Sequence, residues 1–290
     1  MKKIRYFFVI IGLLIAGCTK YDSTINGDFW LKMGDGTIVK TSDIDFYDVS
    51  THMIYLKKEQ PYFQNYQDSM SVYVGNTEIY SCPFHALYLS SLPQGEYIST
   101  PNIFYEKDII RISFCQIIDL NGKPQFSDHR DDKRIIAALK SSRLYHEGLR
   151  CEITSVNYSN GKAVLNIELS NPDTFDYYYL DPDKMGIGLF HYFTNGLYIW
   201  DELYTKSFTH KETVIHTDRT WKKEWLSLIK SGQRKKISIT YNHFDQIPAG
   251  KYKMFFQFPG LSHITPKDRI LNGGRIWMGD ICTEKEVAIK

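Results

Sequence analysis

Residues 151–170 read CEITSVNYSNGKAVLNIELS, and the fold class follows from how this stretch alternates. Ala163, Leu165, Ile167 and Leu169 fall on one side of an extended chain, with Val164, Asn166 and Glu168 on the other. Asn160-Gly161 supplies the two residues that tolerate positive φ in a tight hairpin turn. Cys151–Tyr158 and Lys162–Ser170 are therefore predicted to be antiparallel partners with one buried face.

Downstream the same texture continues. Asn195-Gly196 predicts a second hairpin, joining Ile187–Thr194 to Leu197–Leu203. Ile237, Ile239 and Tyr241 alternate with polar neighbours, Tyr252, Met254, Phe256 and Phe258 do likewise, and Arg275–Cys282 reads as a last strand. Trp221, Trp225 and Ile229 fall at helical spacing before Gly232, so Thr220–Ser231 is predicted as a short helix.

Upstream, Asp28–Met33, Thr37–Lys40, Asp43–Val49, Met53–Lys57, Ser71–Val74, Thr77–Ser81 and Ile109–Ile118 are predicted strands. Gly34-Asp35-Gly36 and Gly75-Asn76 read as turns between neighbours. Pro93-Gln94-Gly95-Glu96-Tyr97 recurs in kind as Pro248-Ala249-Gly250-Lys251-Tyr252, proline fixing φ and glycine turning the chain before a tyrosine-bearing strand. Ser127–Gly148 is the clearest helix, with Ser127 or Asp128 as N-cap, Asp131 and Asp132 in its first turn, and Ile135, Ile136 and Leu139 on one face.

The expected architecture is mainly β, with two β-sandwich-like (Ig-like) regions, a helix between them and a short helix in the second. Its parts are 1–17, 18–27, 28–148 and 149–290. Leu165–Leu180, LNIELSNPDTFDYYYL, followed by IPAGKYKMFFQF at 247–258, resembles Ig-like modules of exported bacterial proteins. That resemblance covers the second region and implies a sandwich without bringing catalytic residues.

The first seventeen residues have three parts: basic Lys2, Lys3 and Arg5, an apolar run from Tyr6 to Ala16 broken only by Gly12, and the small pair Ala16-Gly17. The run is shorter than the roughly 18 apolar residues of a membrane-spanning helix, so it reads as an export signal that is removed. Ile15-Ala16-Gly17-Cys18 resembles the lipobox of bacterial lipoproteins. The resemblance implies cleavage before Cys18, acylation of its thiol, and a tether over Cys18–Gly27 to the cell envelope, with outer-membrane delivery permitted by Thr19. The whole chain is similar to lipoproteins of Bacteroidota, and Asp22-Ser23-Thr24 and Asp68-Ser69-Met70 resemble their short O-glycosylation signals.

Loss of Met1–Gly17 removes three positive and no negative residues, taking the net charge from +2 to −1. A near-neutral chain lacks the basic field of a nucleic-acid binder, so nucleic acid is excluded as a partner. Cys82, Cys115, Cys151 and Cys282 match no zinc spacing; in an exported chain they could pair in any of three ways or pack as small apolar side chains.

Catalytic, metal and cofactor signatures are not found. His129-Arg130-Asp131-Asp132 is explained by a helix start, where carboxylates meet unpaired amides. His191, His210, His216 and His243 lack the spacing of a zinc helix, His191 falling within a predicted strand, and no G-x-S-x-G elbow is present. Aromatics are dense over Phe175–Leu180 and Phe190–Tyr204; since consecutive strand residues face opposite ways, some must leave the core. Tyr178 and Trp200 are the candidate ligand-binding rings. The expected function is a non-enzymatic binding or assembly module anchored in the membrane through Cys18, with a protein or glycan partner. Glycan capture for polysaccharide uptake and a hydrolase with a loop-built site are the alternatives.

Overall fold

A computed structural model describes residues 27–59, 69–100, 103–117, 119, 123–218 and 221–289. The signal segment, Cys18, Asp22-Ser23-Thr24 and Asp68 lie outside the described residues. No helix of the described residues is long and apolar enough to cross a membrane.

The chain is mainly β. Its first half runs β1 (Phe29–Met33), β2 (Ile38–Val39), β3 (Ile44–Asp48), β4 (Met53–Leu56), β5 (Ser69–Val74), β6 (Thr77–Ala86), β7 (Gly95–Thr100), β8 (Ile109–Arg111), β9 (Ser113–Cys115), α1 (Lys133–Ser141) and β10 (Tyr145–His146). The second runs β11 (Arg150–Ser159), β12 (Lys162–Ser170), β13 (Tyr177–Leu180), α2 (Pro182–Met185), α3 (Ile187–Phe190), β14 (Leu197–Asp201), β15 (Ser207–Thr209), β16 (Leu226–Ile229), β17 (Arg234–Tyr241), β18 (Gly250–Pro259), β19 (Ile270–Leu271), β20 (Gly274–Ile276) and β21 (Asp280–Ile289). Among the described residues these strands form five sheets, ordered β2-β1-β5-β6-β7-β9, β10-β3-β4-β8, β11-β12-β17, β16-β13-β20-β19 and β15-β14-β18-β21.

The hairpin at 151–170 forms in the predicted register: Ser159 pairs with Lys162 and Ile153 with Ile167, with one irregularity between Ile153 and Ser155. Asn160 and Gly161 sit at φ 49° and 75°, as a turn of this type requires. Ala163, Leu165, Ile167 and Leu169 are buried. The three large side chains each contribute about 1.5–3 kcal/mol over the exposed state, so a one-residue slip would be strongly opposed. Gly95 and Gly250 start β7 and β18, as the two proline-glycine-tyrosine runs predict. The second adds a tie: Tyr252 Oη donates to the Pro248 carbonyl at 2.8 Å.

Two apolar clusters form the core. One lies within the first half and takes Ile135, Ala138 and Leu139 from α1. The other fills the second half and draws in Phe46, Met53, Tyr55 and Ile109 from the first, so apolar packing continues across the junction.

Three expectations are corrected. The helix predicted over Ser127–Gly148 is confined to Lys133–Ser141: Asp128 folds back onto Arg130, Asp132 is the N-cap that accepts from Arg134 N, and Arg143 at φ 61° ends the helical path. Tyr145–His146 then pairs parallel with β3. The helix predicted over Thr220–Ser231 is a 3-10 turn at Lys223–Trp225 followed by strand β16, because pairing Leu226–Ile229 with the edge of β13 satisfies backbone groups that a short helix would leave open. The strand predicted over Ile187–Thr194 is helical at Ile187–Phe190, so His191 follows a helix. The missed signal was Asp181-Pro182, an N-cap with proline at the first helical position, which starts α2 and leads into α3. The four cysteines of the described residues are unpaired.

Candidate functional site

Between the two halves lies a cleft of about 860 Å³. Phe104, Tyr105 and Arg111 line it from the first half; His191–Asn195, Gln257, Gly260–His263 and Asp280 line it from the second. A smaller chamber of about 230 Å³ shares Phe104, Tyr105, Arg111 and Asp280 and continues past Tyr97, Ser99 and Ser113.

The floor is a chain of polar side chains brought together by strand ends. Arg111 closes β8 and Asp280 opens β21. They meet at 2.6 Å, and Arg111 also donates to Tyr105 Oη at 3.0 Å. Gln257 on β18 donates through Nε2 to the other Asp280 oxygen at 2.8 Å. Burial opposes charge on Arg111, but the Tyr105 phenol and the Asp280 carboxylate outweigh it and raise its pKa, so the guanidinium stays ionised. Burial raises the pKa of Tyr105, so the phenol stays neutral. The pair is thus compensated in place, with donors and acceptors left over on both partners.

The rim is tied across the junction. His263 N donates to the Phe104 carbonyl at 2.9 Å, with His263 itself at φ 56°. Gly260 approaches the backbone of Gly279 so closely that a Cβ would lie 1.8 Å from its carbonyl oxygen. Thr194 Oγ1 donates to the Gln257 carbonyl at 2.5 Å and accepts from Gly196 N at 3.1 Å, which seats the segment after α3 on β18. His191 stacks on His210 with ring centroids 3.9 Å apart, and Tyr241 lies 5.3 Å from both. Burial, then His210, pushes the His191 pKa down to about 4.

The expected binding rings lie elsewhere. Tyr178 is half-buried in the middle of β13, its ring against Gly274. Trp200 is half-buried on β14, between Ser207 of β15 and Lys253 of β18. They belong to different sheets, and neither lines the cleft. The aromatic density that singled them out also covers Tyr192 and Phe193, which do line it. Arg111, Asp280, Gln257, Phe104 and Tyr105 were missed, because only tertiary contact brings them together.

The remaining candidates are occupied within the fold. His129 Nδ1 lies 3.0 Å from Glu96, Arg130 pairs with Asp128, and Asp132 caps α1. His243 lies 3.7 Å from Glu212, and His216 packs against Tyr192 at 5.6 Å. Among the described residues, no three His, Cys, Asp or Glu side chains converge as a metal site.

Fold and cleft together define a mainly β protein with a ligand-sized cavity at the junction of its halves. No protein-family description matches the chain, and no curated protein does. Two solved structures of a β-glucosidase from Kluyveromyces marxianus, one in complex with glucose and one selenomethionine-labelled, are similar to 50% of the chain, at 9% and 10% identity and TM-scores of 0.23 and 0.22. The match spans 14% and 15% of those chains, and at such scores it carries no argument about fold or activity.

Proposed function

We propose that the chain is a lipid-anchored binding module of the bacterial cell envelope, exported by its first seventeen residues and held in the outer membrane through acyl chains on Cys18. The anchor is supported by Lys2, Lys3 and Arg5, the apolar run and Ile15-Ala16-Gly17-Cys18 in register. The binding role rests on one observation: the cleft floor carries the Arg111–Asp280 pair, held by Tyr105 and Gln257 under open aromatic rings. Such a floor positions hydrogen bonds, while Asp280, Tyr105 and Gln257 hold its guanidinium and carboxylate to each other. That favours retention of a ligand over its turnover.

The second half is proposed to be sandwich-like. Leu165 and Ile167 of β12 share a core cluster with Met254 and Phe256 of β18, and Lys285 of β21 donates to the carbonyls of Ile153 and Thr154 on β11.

The test is retention without turnover. Full-length protein in detergent is mixed with solubilised envelope polymers and proteins, and the bound fraction is recovered and compared with its starting form. The expected result is an unmodified ligand whose retention falls about tenfold in Tyr192→Ala at unchanged melting temperature. Cleaved or modified polymer, or retention indifferent to Tyr192→Ala, would overturn the binding role. For the anchor, Cys18→Ser is expected to abolish palmitate labelling and release the protein from membranes; labelling that persisted would defeat it.

A further inference from the structure

Resting on the binding role proposed for this cleft, we infer that its ligand is a neutral oligosaccharide chain, stacked on Phe104 and Tyr192 and hydrogen-bonded by Arg111, Asp280 and Gln257.

The walls argue first. Phe104 is 46% exposed and Tyr192 41% exposed, yet both are held. Tyr192 meets Phe193 edge-on at 5.1 Å and His216 at 5.6 Å, while the Phe104 backbone is bonded to His263. A positioned ring with an open face is suited to the C–H face of a pyranose, which is apolar while its rim is hydroxylated.

The floor selects among ligands with rings. Arg111 can donate five hydrogen bonds and a carboxylate can accept about four. The contacts to Tyr105, Gln257 and each other leave several directions open on Arg111 and Asp280. Vicinal hydroxyls donate and accept at once, and so fit a paired guanidinium and carboxylate. A phosphate or carboxylate ligand would meet Asp280 and Asp218 as well as Arg111, and a cation would have to compete with Arg111 for Asp280. An acyl chain would strip water from the charged pair without replacing its hydrogen bonds.

Shape selects a chain over a single sugar. The smaller chamber shares Phe104, Tyr105, Arg111 and Asp280 with the larger one, so the polar pair lines both spaces. Ser99, Ser113 and Tyr97, all hydroxyl-bearing, line the smaller space. A linear ligand would place neighbouring units in the two spaces, both within reach of the pair.

The experiment uses full-length protein in detergent on a printed array of oligosaccharides. One arm holds neutral glucans, mannans, xylans and N-acetylglucosamine oligomers; the other holds uronate- and sulfate-bearing chains. Binding is expected in the neutral arm, rising with length beyond one unit. Titration calorimetry on the best neutral probe should show affinity falling about tenfold or more in Tyr192→Ala and Phe104→Ala at unchanged melting temperature, and comparably in Asp280→Asn, measured below that variant's own, lowered melting temperature. Binding confined to the charged arm would overturn the assignment. So would neutral binding that survives Tyr192→Ala, Phe104→Ala and Asp280→Asn. An empty array alongside Tyr192-dependent retention of an envelope protein would refute the sugar and spare the binding module; an empty array without such retention would refute both.

Discussion

Arg269 and Asp108, 161 residues apart in sequence, form a buried two-armed ion pair, with Nη1 and Nη2 donating to the two carboxylate oxygens at 2.5 and 2.7 Å. Their side chains are 9% and 7% exposed, and Arg269 also lies over the Tyr55 ring at 5.8 Å. Asp108 precedes β8 and Arg269 precedes β19, so the pair joins the two halves. Desolvation offsets much of such a pair's attraction, and the cost appears when one partner is left alone. Asp108→Ala is therefore expected to destabilise the fold by about 3–5 kcal/mol. The double variant Asp108→Leu, Arg269→Met should recover most of that loss in urea unfolding. A double variant as unstable as Asp108→Ala would show that the charges themselves are required.

Asp48, at the end of β3, lies against Gly148, with Ser50 N and Ser50 Oγ donating to Oδ1 at 2.9 and 2.6 Å. Burial, with Asp173 as a further like charge, pushes its pKa up to about 6 against the ordinary 3.8, despite the Ser50 bonds. A raised carboxyl pKa means the folded state prefers the protonated form. Its contribution is therefore fully present below pH 3.8 and lost as pH rises to about 6. Asp48→Asn keeps an acceptor for Ser50 and cannot ionise. It is expected to match the parent near pH 3.5 and to exceed it by about 3 kcal/mol at pH 7 in denaturant titrations. An advantage independent of pH would contradict ionisation as its source.

His191 has the opposite sign. Its pKa, pushed down to about 4 by burial and by the stacked His210, lies below the ordinary 6.5. The neutral ring is the folded form, so stability is complete above pH 6.5 and falls as pH drops to about 4. His191→Phe keeps a ring on His210 and should flatten that fall, by about 3 kcal/mol between pH 7 and pH 4. Because Asp48 and His191 act in overlapping windows with opposing signs, the parent profile alone separates neither. The difference between variant and parent does, and an unchanged slope in His191→Phe would exclude the histidine.

The elements legible in sequence were those whose signal is local. The hairpin at 151–170 needs only alternation and Asn160-Gly161, and β18 only its apolar period and the proline-glycine start; both form where expected. Trp221, Trp225 and Ile229 kept their helical spacing and still became a turn and a strand, because β13 offered backbone partners that no local pattern records. The cleft was legible in one part. Tyr192 and Phe193 stood out by aromatic density, whereas Arg111 and Asp280 are each an ordinary charged residue at a strand end until β8 and β21 are brought together.

Gly260 offers a test of how rigidly the cleft is built. Its φ is not in the left-handed region, so its small size, not its flexibility, is what the site requires: a Cβ there would lie 1.8 Å from the Gly279 carbonyl oxygen and 2.7 Å from Gly279 N. Gly279 cannot easily retreat, since its own α-carbon faces Thr51 and Met53, and it sits at φ 91°. Gly260→Ala must therefore push apart two backbones that both line the cleft, at a cost of about 1–3 kcal/mol or more. Gly232→Ala is the matched control: φ is 74° and a Cβ meets nothing within 4 Å, so only conformational strain of about 1 kcal/mol is expected. Thermal unfolding should rank Gly260→Ala below Gly232→Ala, and only Gly260→Ala should also lose cleft-dependent ligand retention. Equal losses of stability with retention intact in both would mean that the Gly260–Gly279 contact yields readily and does not set the shape of the cleft.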